Sequence, residues 1–240
     1  MSAPGRSPGN TTAALAAKAA TGTIPIVFGV SEDPVKFGLV VSLARPGGNA
    51  TGINYFATEI VAKRLGLLRE LLPQASRVAV LVNPANVTNT QMTLREVEAG
   101  ALAMTLQIRI FNASTSSEID SAFAALVRWR PDAAFVAPDS FYNSRREQLS
   151  NLAARHAMPA VYSVRDYVEA GGLMSYGPDI AAVFHQVGVY TGMILSGKEP
   201  KDLPVQQVNK LEFVMNLKTA KELGLTIPQS LLVRADVVNQ

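Results

Sequence analysis

The stretch RVAVLVNPANVTNTQMTLREVEAGALAMTLQIRIFNA, residues 77–113, predicts a strand, a helix and a second strand in succession. RVAVLVN is almost continuously apolar and rich in β-branched residues, as expected of a strand covered on both faces. The segment NTQMTLREVEAGALAMT reads as a helix, and LQIRIFNA alternates apolar and polar residues like another strand. This order is typical of a parallel sheet with right-handed crossover helices.

The same alternation runs through almost the whole chain, which predicts an α/β fold with mainly parallel sheets. The predicted strands are 23–30, 50–56, 77–83, 106–113, 132–139, 159–164, 172–177, 210–218 and a terminal strand or extended tail at 231–240. The predicted helices are 13–22, 31–48, 57–76, 89–105, 117–130, 140–157, 179–197 and 219–225. The strands are too many for one small sheet, and the amphipathic helix 57–76 offers a passage to a second one.

Composition excludes several classes of protein. The chain has 240 residues, 48% hydrophobic and 17% charged, which is typical of a globular protein. The net charge of +3 comes without a long run of Lys or Arg, so no nucleic-acid groove is predicted. Cysteine is absent, which excludes disulfides, thiol catalysis and zinc–thiolate sites. No apolar run reaches the roughly 18–20 residues of a membrane span.

Polar residues follow the predicted strands at the carboxyl edge of the sheets, where open α/β sheets bind ligands. These segments are 29–33, 83–86, 139–143, 163–166 and 176–179. Three tyrosines, Tyr142, Tyr162 and Tyr176, fall at the same edge, and aromatic walls with a polar rim suit a small organic ligand. The alternative is that these residues have structural roles. Asp33, Asp139 and Asp179 stand where helix caps are expected, and the three tyrosines would then be ordinary half-buried aromatic residues.

Catalysis is not predicted. The two histidines, His156 and His185, stand outside any H-E-x-x-H or G-x-S-x-G motif. Neither a Walker sequence nor G-x-G-x-x-G occurs, and the glycines of RPGGNATG follow a helix and precede a strand, the reverse of a nucleotide loop. No carboxylate pair favours acid–base chemistry.

Four segments resemble the ABC-transporter substrate-binding proteins of the tryptophan/tyrosine type. They are IPIVFGVSEDPVKFGLVVSLARPGGNATGINYF (24–56), AKRLGLLRELLPQASRVAVLVNPAN (62–86), RPDAAFVAPDSFYNSRREQLSNLAARHAMPAVYSVRDYVEAGGLMSYGPD (130–179) and NLKTAKELGLTIPQSLLVRADVV (216–238). The resemblance implies the type I periplasmic binding protein fold, with two α/β lobes and ligand in the cleft between them. It also implies an aromatic amino acid or related carboxylate as ligand, hinge closure, delivery to a membrane permease, and no metal or cofactor.

The resemblance also implies the lobes and the ligand contacts. The first lobe is expected from 1–56 with 180–204, and the second from 57–179 with 205–240. The ligand-binding residues it implies are Asn10, Thr11, Thr12, Asp33, Asn83, Asp139, Tyr162, Tyr176 and Asp179.

Against the family pattern, the sequence starts at the helix that follows the third strand, without a signal peptide. An incomplete first lobe is therefore expected, with a bare sheet edge that a second copy of the chain or a rearranged N-terminus covers. The resemblance implies a periplasmic or extracytoplasmic location. Two other functions stay open: the ligand-sensing domain of a regulator with the same fold, and a small α/β enzyme such as an isomerase.

Overall fold

The structure is a computed structural model that describes residues 10–55, 60–208 and 210–239. The chain divides into two compact units. Unit 1 comprises Met1–Ala57 with Pro178–Lys210, and unit 2 comprises Thr58–Gly177 with Leu211–Gln240. The boundary expected between residues 56 and 57 lies outside the described residues.

The elements alternate along the chain much as the sequence predicts. The strands are β1 (Ile26–Val30), β2 (Ala50–Asn54), β3 (Arg77–Val82), β4 (Gln107–Asn112), β5 (Ala133–Val136), β6 (Ala160–Tyr162), β7 (Met174–Pro178), β8 (Gln206–Gln207), β9 (Leu211–Asn216) and β10 (Val237–Asn239). The helices are α1 (Asn10–Ala20), α2 (Val61–Leu71), α3 (Val87–Ala103), α4 (Ser116–Trp129), α5 (Ser140–Ser144), α6 (Arg146–Arg155), α7 (Asp166–Glu169), α8 (Ile180–Leu195), α9 (Leu217–Glu222) and α10 (Gln229–Arg234). A 3₁₀ turn spans Pro200–Asp202.

Unit 2 is built on a seven-stranded sheet in the order β10-β9-β7-β6-β5-β3-β4. The pairs β3–β4, β3–β5, β5–β6, β6–β7 and β9–β10 are parallel. Between β7 and β9 the direction reverses, because Asn216 N donates to the carbonyl of Leu173 and Asp179 N donates to that of Lys210. A mainly parallel sheet therefore carries its polar loops at one edge.

The β3–α3–β4 unit follows from its sequence. Five of the six residues of β3 are buried, as a strand covered on both faces requires. Asn86 caps α3 by accepting a hydrogen bond from Asn89 N. The core of unit 2 contains Leu65 and Leu68 of α2, packed with residues of the central strands such as Val80 and Phe135.

Unit 1 has a parallel three-stranded sheet in the order β1-β2-β8. Helices α1 and α8 pack against β1, and the core contains Phe28, Val30 and Leu39. Gly52 is required in β2, because a Cβ atom there would lie 2.0 Å from the carbonyl oxygen of Phe28. Strand β8 pairs with β2, which puts residues 205–210 in unit 1, although the sequence analysis assigns them to the second lobe.

The helix predicted over 31–48 is wrong, since this segment forms turns. One helical turn starts at Asp33 and ends at Gly38, whose φ of 72° is left-handed. Leu39 N donates to Pro34 O and Gly38 N donates to Val35 O, which is the Schellman arrangement that terminates a helix.

Two further predicted elements differ from the structure. The helix predicted over 140–157 is interrupted at Arg145, which ends α5 and precedes α6. The terminal strand predicted over 231–240 is helical in its first part, because α10 covers Gln229–Arg234 before β10 begins. In both places the apolar spacing of the sequence does not separate a continuous element from two short ones.

Candidate ligand-binding site

Asp139 organises the carboxyl edge of the unit 2 sheet. Its Oδ1 accepts hydrogen bonds from Asn83 Nδ2 at 3.0 Å and Phe141 N at 2.9 Å, and its Oδ2 accepts one from Asn86 Nδ2 at 2.9 Å. Asn83 follows β3 and Asp139 follows β5, and these strands are neighbours in the sheet. The structure therefore brings two of the predicted site residues together, and the Asp139 carboxylate is used within the protein.

Tyr142 is buried beneath this cluster. Its hydroxyl donates to the carbonyl of Ala113 at 2.8 Å. Burial raises the pKa of the Tyr142 phenol, and the nearby Asp139 carboxylate adds to the effect. Tyr142 is a core residue that supports the edge.

Tyr162 also lies inside unit 2, at the end of β6. It is 0% exposed, and its ring stacks on Tyr167 with centroids 4.5 Å apart and planes 12° from parallel. Burial raises the pKa of both phenols. A direct contact between Tyr162 and ligand stays a prediction, because its ring is covered in this structure.

Tyr176 differs from the other tyrosines in being only partly buried. Its ring meets that of Phe213 on the adjacent β9 edge to face, with centroids 6.4 Å apart and an angle of 72° between planes. Of the predicted tyrosines, Tyr176 is the one that is not fully buried, so it is the candidate for packing on an aromatic ligand.

Arg64 is a residue that the sequence analysis missed. It lies on the apolar stripe of α2 and is fully buried, and its Nε donates to Tyr176 O at 2.6 Å. Desolvation lowers the pKa of Arg64 to about 9, so the guanidinium stays protonated at neutral pH. The signal in the sequence is a basic residue between Val61 and Leu68, within a stripe that is otherwise apolar.

Asp179 caps α8 in unit 1. Its Oδ1 accepts from Ala182 N at 2.9 Å, and its Oδ2 pairs with Lys210 Nζ at 3.0 Å. The structural alternative raised from the sequence, a helix cap, accounts for these contacts. A ligand contact by Asp179 stays a prediction.

The other predicted residues of unit 1 lie in the first turn of α1 and after β1. Asn10 begins α1, Thr12 is exposed, and Thr11 is buried with its hydroxyl donating to Glu32 Oε2. Asp33 is exposed, and its Oδ1 accepts from Val35 N at 2.9 Å and Lys36 N at 3.2 Å. Asp33 thus holds the turn that follows β1.

Glu32 and Asn54 are two further polar residues buried at this edge. The sequence analysis includes Glu32 only within the segment 29–33 and does not include Asn54. Glu32 Oε2 also accepts from Ser31 Oγ at 3.0 Å. Asn54, at the end of β2, donates from Nδ2 to Glu32 O at 2.8 Å and to Val30 O at 3.1 Å. The segment 29–33 is recognisable from sequence, but burial, which distinguishes Glu32 from Asp33, is not.

Neither a metal-binding cluster of His, Cys, Asp and Glu nor a helix long and apolar enough to cross a membrane occurs in residues 10–55, 60–208 and 210–239. The charged and polar groups at both edges are hydrogen-bonding groups suited to holding an organic ligand.

A family model described as ABC transporter substrate binding protein matches residues 7–239. A curated relative, the tyrosine-binding protein of Clostridioides difficile, is 31% identical over 216 residues, which are 90% of this chain. The chain spans 61% of that relative's length.

Two solved structures agree with this match. A conserved domain protein from Vibrio cholerae is 33% identical with a TM-score of 0.81, over 95% of this chain and 76% of that one. An ABC domain from Streptococcus pneumonia in complex with L-Trp is 28% identical with a TM-score of 0.80, over 95% of this chain and 78% of that one. The predicted type I periplasmic binding protein fold is confirmed.

The family has a defined kind of role. Its members bind a substrate rather than transform one, so the prediction that the protein is not an enzyme is also confirmed. ABC substrate-binding proteins are generally extracytoplasmic. The chain belongs to the family of ABC transporter substrate-binding proteins.

Proposed function

We propose that the protein captures an aromatic L-amino acid, tryptophan or tyrosine, and delivers it to the permease of an ABC importer. Two relatives support this choice of ligand, one named a tyrosine-binding protein and one solved in complex with L-Trp. This role requires that the protein is located outside the cytoplasm, where it binds the ligand before import.

The observation that carries the proposal is the accessible ring of Tyr176 at the carboxyl edge of unit 2. The ring of Tyr176 packs against Phe213, and its backbone carbonyl accepts a hydrogen bond from Arg64, so the strand that carries the ring is fixed before ligand arrives. An aromatic ligand that packs on such a ring gains about 0.5–1.5 kcal/mol beyond the burial of its area.

The site residues inferred from sequence divide into two roles within this proposal. Tyr176 and Thr12, which are not buried, are assigned to direct contact with the ligand. The buried set supports the two edges by hydrogen bonds and packing; it consists of Thr11, Asn83, Asp139, Tyr162 and Asp179. Asp33 supports the turn after β1. Asn10 is the first residue of α1, and its predicted contact with the ligand remains part of the proposal.

The test is a thermal-shift screen of the protein against the proteinogenic amino acids, indole acids and simple sugars, followed by calorimetry on the hits. Ligand that binds only the folded protein increases the free energy of unfolding by RT ln(1 + [L]/Kd), and the melting temperature rises as a result. L-tryptophan or L-tyrosine is expected to give the largest shift. A sugar as the largest hit, with no response to either amino acid, contradicts the proposal.

The variant Tyr176→Ala tests the assigned contact. We expect the affinity to fall about tenfold or more, corresponding to about 1.4 kcal/mol. Tyr176→Phe keeps the ring and is expected to bind like the unmodified protein. Phe184→Ala is the matched control, because Phe184 is an exposed aromatic residue on α8 of unit 1. Equal affinities for Tyr176→Ala and Phe184→Ala would remove Tyr176 from the site.

A further inference from the structure

The carboxylate of Glu32 in unit 1 is buried but only half used by the protein. Glu32 is 9% exposed. The hydroxyls of Thr11 and Ser31 both donate to its Oε2. No hydrogen bond to Oε1 occurs within the described part of the chain, and no lysine, arginine or histidine there forms a salt bridge with Glu32.

Asn54 supplies a second unused acceptor beside the same turn. Its side chain is 0% exposed, and its Nδ2 is committed to the carbonyls of Val30 and Glu32. This double donation fixes which end of the amide is nitrogen, so Oδ1 is the opposite end. Oδ1 is buried, and the described residues offer it no hydrogen-bond donor. Buried acceptors without donors are uncommon in proteins, and each calls for a physical reason.

We infer that Glu32 and Asn54 form the subsite that recognises the α-ammonium group of the ligand. An ammonium group has three N–H donors, carries a positive charge and accepts nothing. The subsite offers the complement: a carboxylate oxygen of a residue that is 9% exposed and a buried amide oxygen, neither of which accepts a hydrogen bond from the described residues. A hydrogen bond in which both groups are charged is stronger than a neutral one, and low exposure to water strengthens it further.

The neighbouring Asp33 shows why the assignment falls on Glu32. Asp33 is exposed, and its carboxylate already accepts from two backbone N–H groups of its own turn. Glu32 is next to it in the sequence, yet its contacts are with Thr11 of α1 and with Ser31. The two residues can therefore be compared directly: Asp33 stabilises a turn, whereas Glu32 has a carboxylate oxygen that accepts no hydrogen bond from the described residues.

This inference rests on the proposed function, and it adds that the ligand must carry an amine. An aromatic acid of the same size without the amine would leave both acceptors unpaired. Loss of one hydrogen bond to a charged group weakens binding about tenfold to a hundredfold. The protein is therefore expected to prefer L-tryptophan over 3-(indol-3-yl)propionate, and L-tyrosine over 3-(4-hydroxyphenyl)propionate, by at least that factor.

The experiment is isothermal titration calorimetry of these four compounds, and of the non-aromatic amino acid L-leucine, against the unmodified protein, Glu32→Gln and the matched control Glu98→Gln, which changes an exposed glutamate on α3 of unit 2. Glu32→Gln is expected to weaken binding of the amino acids about tenfold or more and to leave the deaminated acids within about twofold, because only the former carry the cation. Glu98→Gln should match the unmodified protein for all five. Circular dichroism and melting curves establish that each variant is folded.

Equal affinity of the unmodified protein for an aromatic amino acid and its deaminated analogue overturns the inference and leaves the proposed function standing. This comparison needs no variant, so it decides the matter even where Glu32→Gln fails to fold. Binding of L-leucine but of no aromatic compound overturns the proposed function instead. In that case the subsite is judged by L-leucine alone. A loss of about tenfold in the affinity of Glu32→Gln for L-leucine still supports the subsite, and an unchanged affinity overturns the subsite.

Discussion

The carboxyl edges of the two units each hold a buried carboxylate, but the protein uses the two differently. Asp139 in unit 2 receives three hydrogen bonds through both of its oxygens. Glu32 in unit 1 receives two, both at Oε2. A carboxylate whose acceptors are filled by its own protein fixes local structure, whereas one with an oxygen that accepts no hydrogen bond from its own protein is suited to bind something else.

The largest effect that this comparison predicts is on the stability of Asp139→Ala. The substitution leaves Asn83, Asn86 and the backbone N–H of Phe141 without their acceptor. We expect the free energy of unfolding to fall by about 3 kcal/mol, as for buried polar groups that lose a partner. Glu32→Gln keeps one carbonyl oxygen for the two hydroxyls and should cost less than about 1 kcal/mol. Urea unfolding measures both, and equal losses would contradict the distinction between the two edges.

Alkaline pH should destabilise the protein through the buried tyrosines of unit 2. Burial raises the pKa of Tyr142, Tyr162 and Tyr167, so these phenols stay protonated in the folded state while they ionise in the unfolded chain above about pH 10. The unfolded state then binds fewer protons, and stability falls as pH rises. The lowered pKa of Arg64 has the opposite effect on stability above about pH 9, because the folded state then loses a proton that the unfolded chain keeps. This one group offsets only part of the effect of the three tyrosines.

The net loss should be about 2 kcal/mol between pH 10 and pH 11, read from urea midpoints across that range. Tyr167→Phe removes one of the three groups and should make the dependence on pH less steep. A stability that is constant from pH 9 to pH 11 would contradict the burial of these phenols.

The same comparison of used and unused polar atoms applies to two buried hydroxyls. Tyr142 Oη donates to Ala113 O, whereas Tyr167 Oη is buried without a hydrogen bond to any described residue. Tyr142→Phe should therefore lower the free energy of unfolding by about 1 kcal/mol, and Tyr167→Phe should change it by less than about 0.5 kcal/mol or raise it. Thermal melting at pH 7 distinguishes the two variants, and the reverse order would show that the hydroxyl of Tyr167 is the better satisfied.

The smallest expected effect belongs to Asp33. Asp33→Ala loses the side-chain acceptor for Val35 N and Lys36 N, and exposed caps of this kind are worth about 0.5–1 kcal/mol. Ligand affinity should be unchanged, as measured by calorimetry. A loss of affinity larger than the loss of stability would return Asp33 to the ligand site.

Much of the fold is predictable from sequence because burial and periodicity leave a local trace. The continuous apolar run of β3 and the amphipathic spacing of α2 identify these elements directly. The failure over 31–48 has a local cause as well, because the left-handed Gly38 terminates the helical turn that starts at Asp33.

The candidate site is less predictable, because it depends on side-chain directions between distant segments. The order of strands in the sheet suffices to place Asn83 near Asp139. Spacing does not reveal that Tyr162 points into the core while Tyr176 stays accessible, or that Glu32 is buried and Asp33 is not. Each of these differences depends on which helix covers the strand end, and that is a property of tertiary packing.

A calorimetric titration of the protein with L-tryptophan and with L-tyrosine at neutral pH is the most direct test of the proposed function. We expect saturable binding of at least one of them with a stoichiometry of one per chain, together with weaker binding by Tyr176→Ala. The absence of binding heat for both amino acids, with a raised melting temperature in the presence of a ligand that is neither aromatic nor an amino acid, would contradict the proposed function.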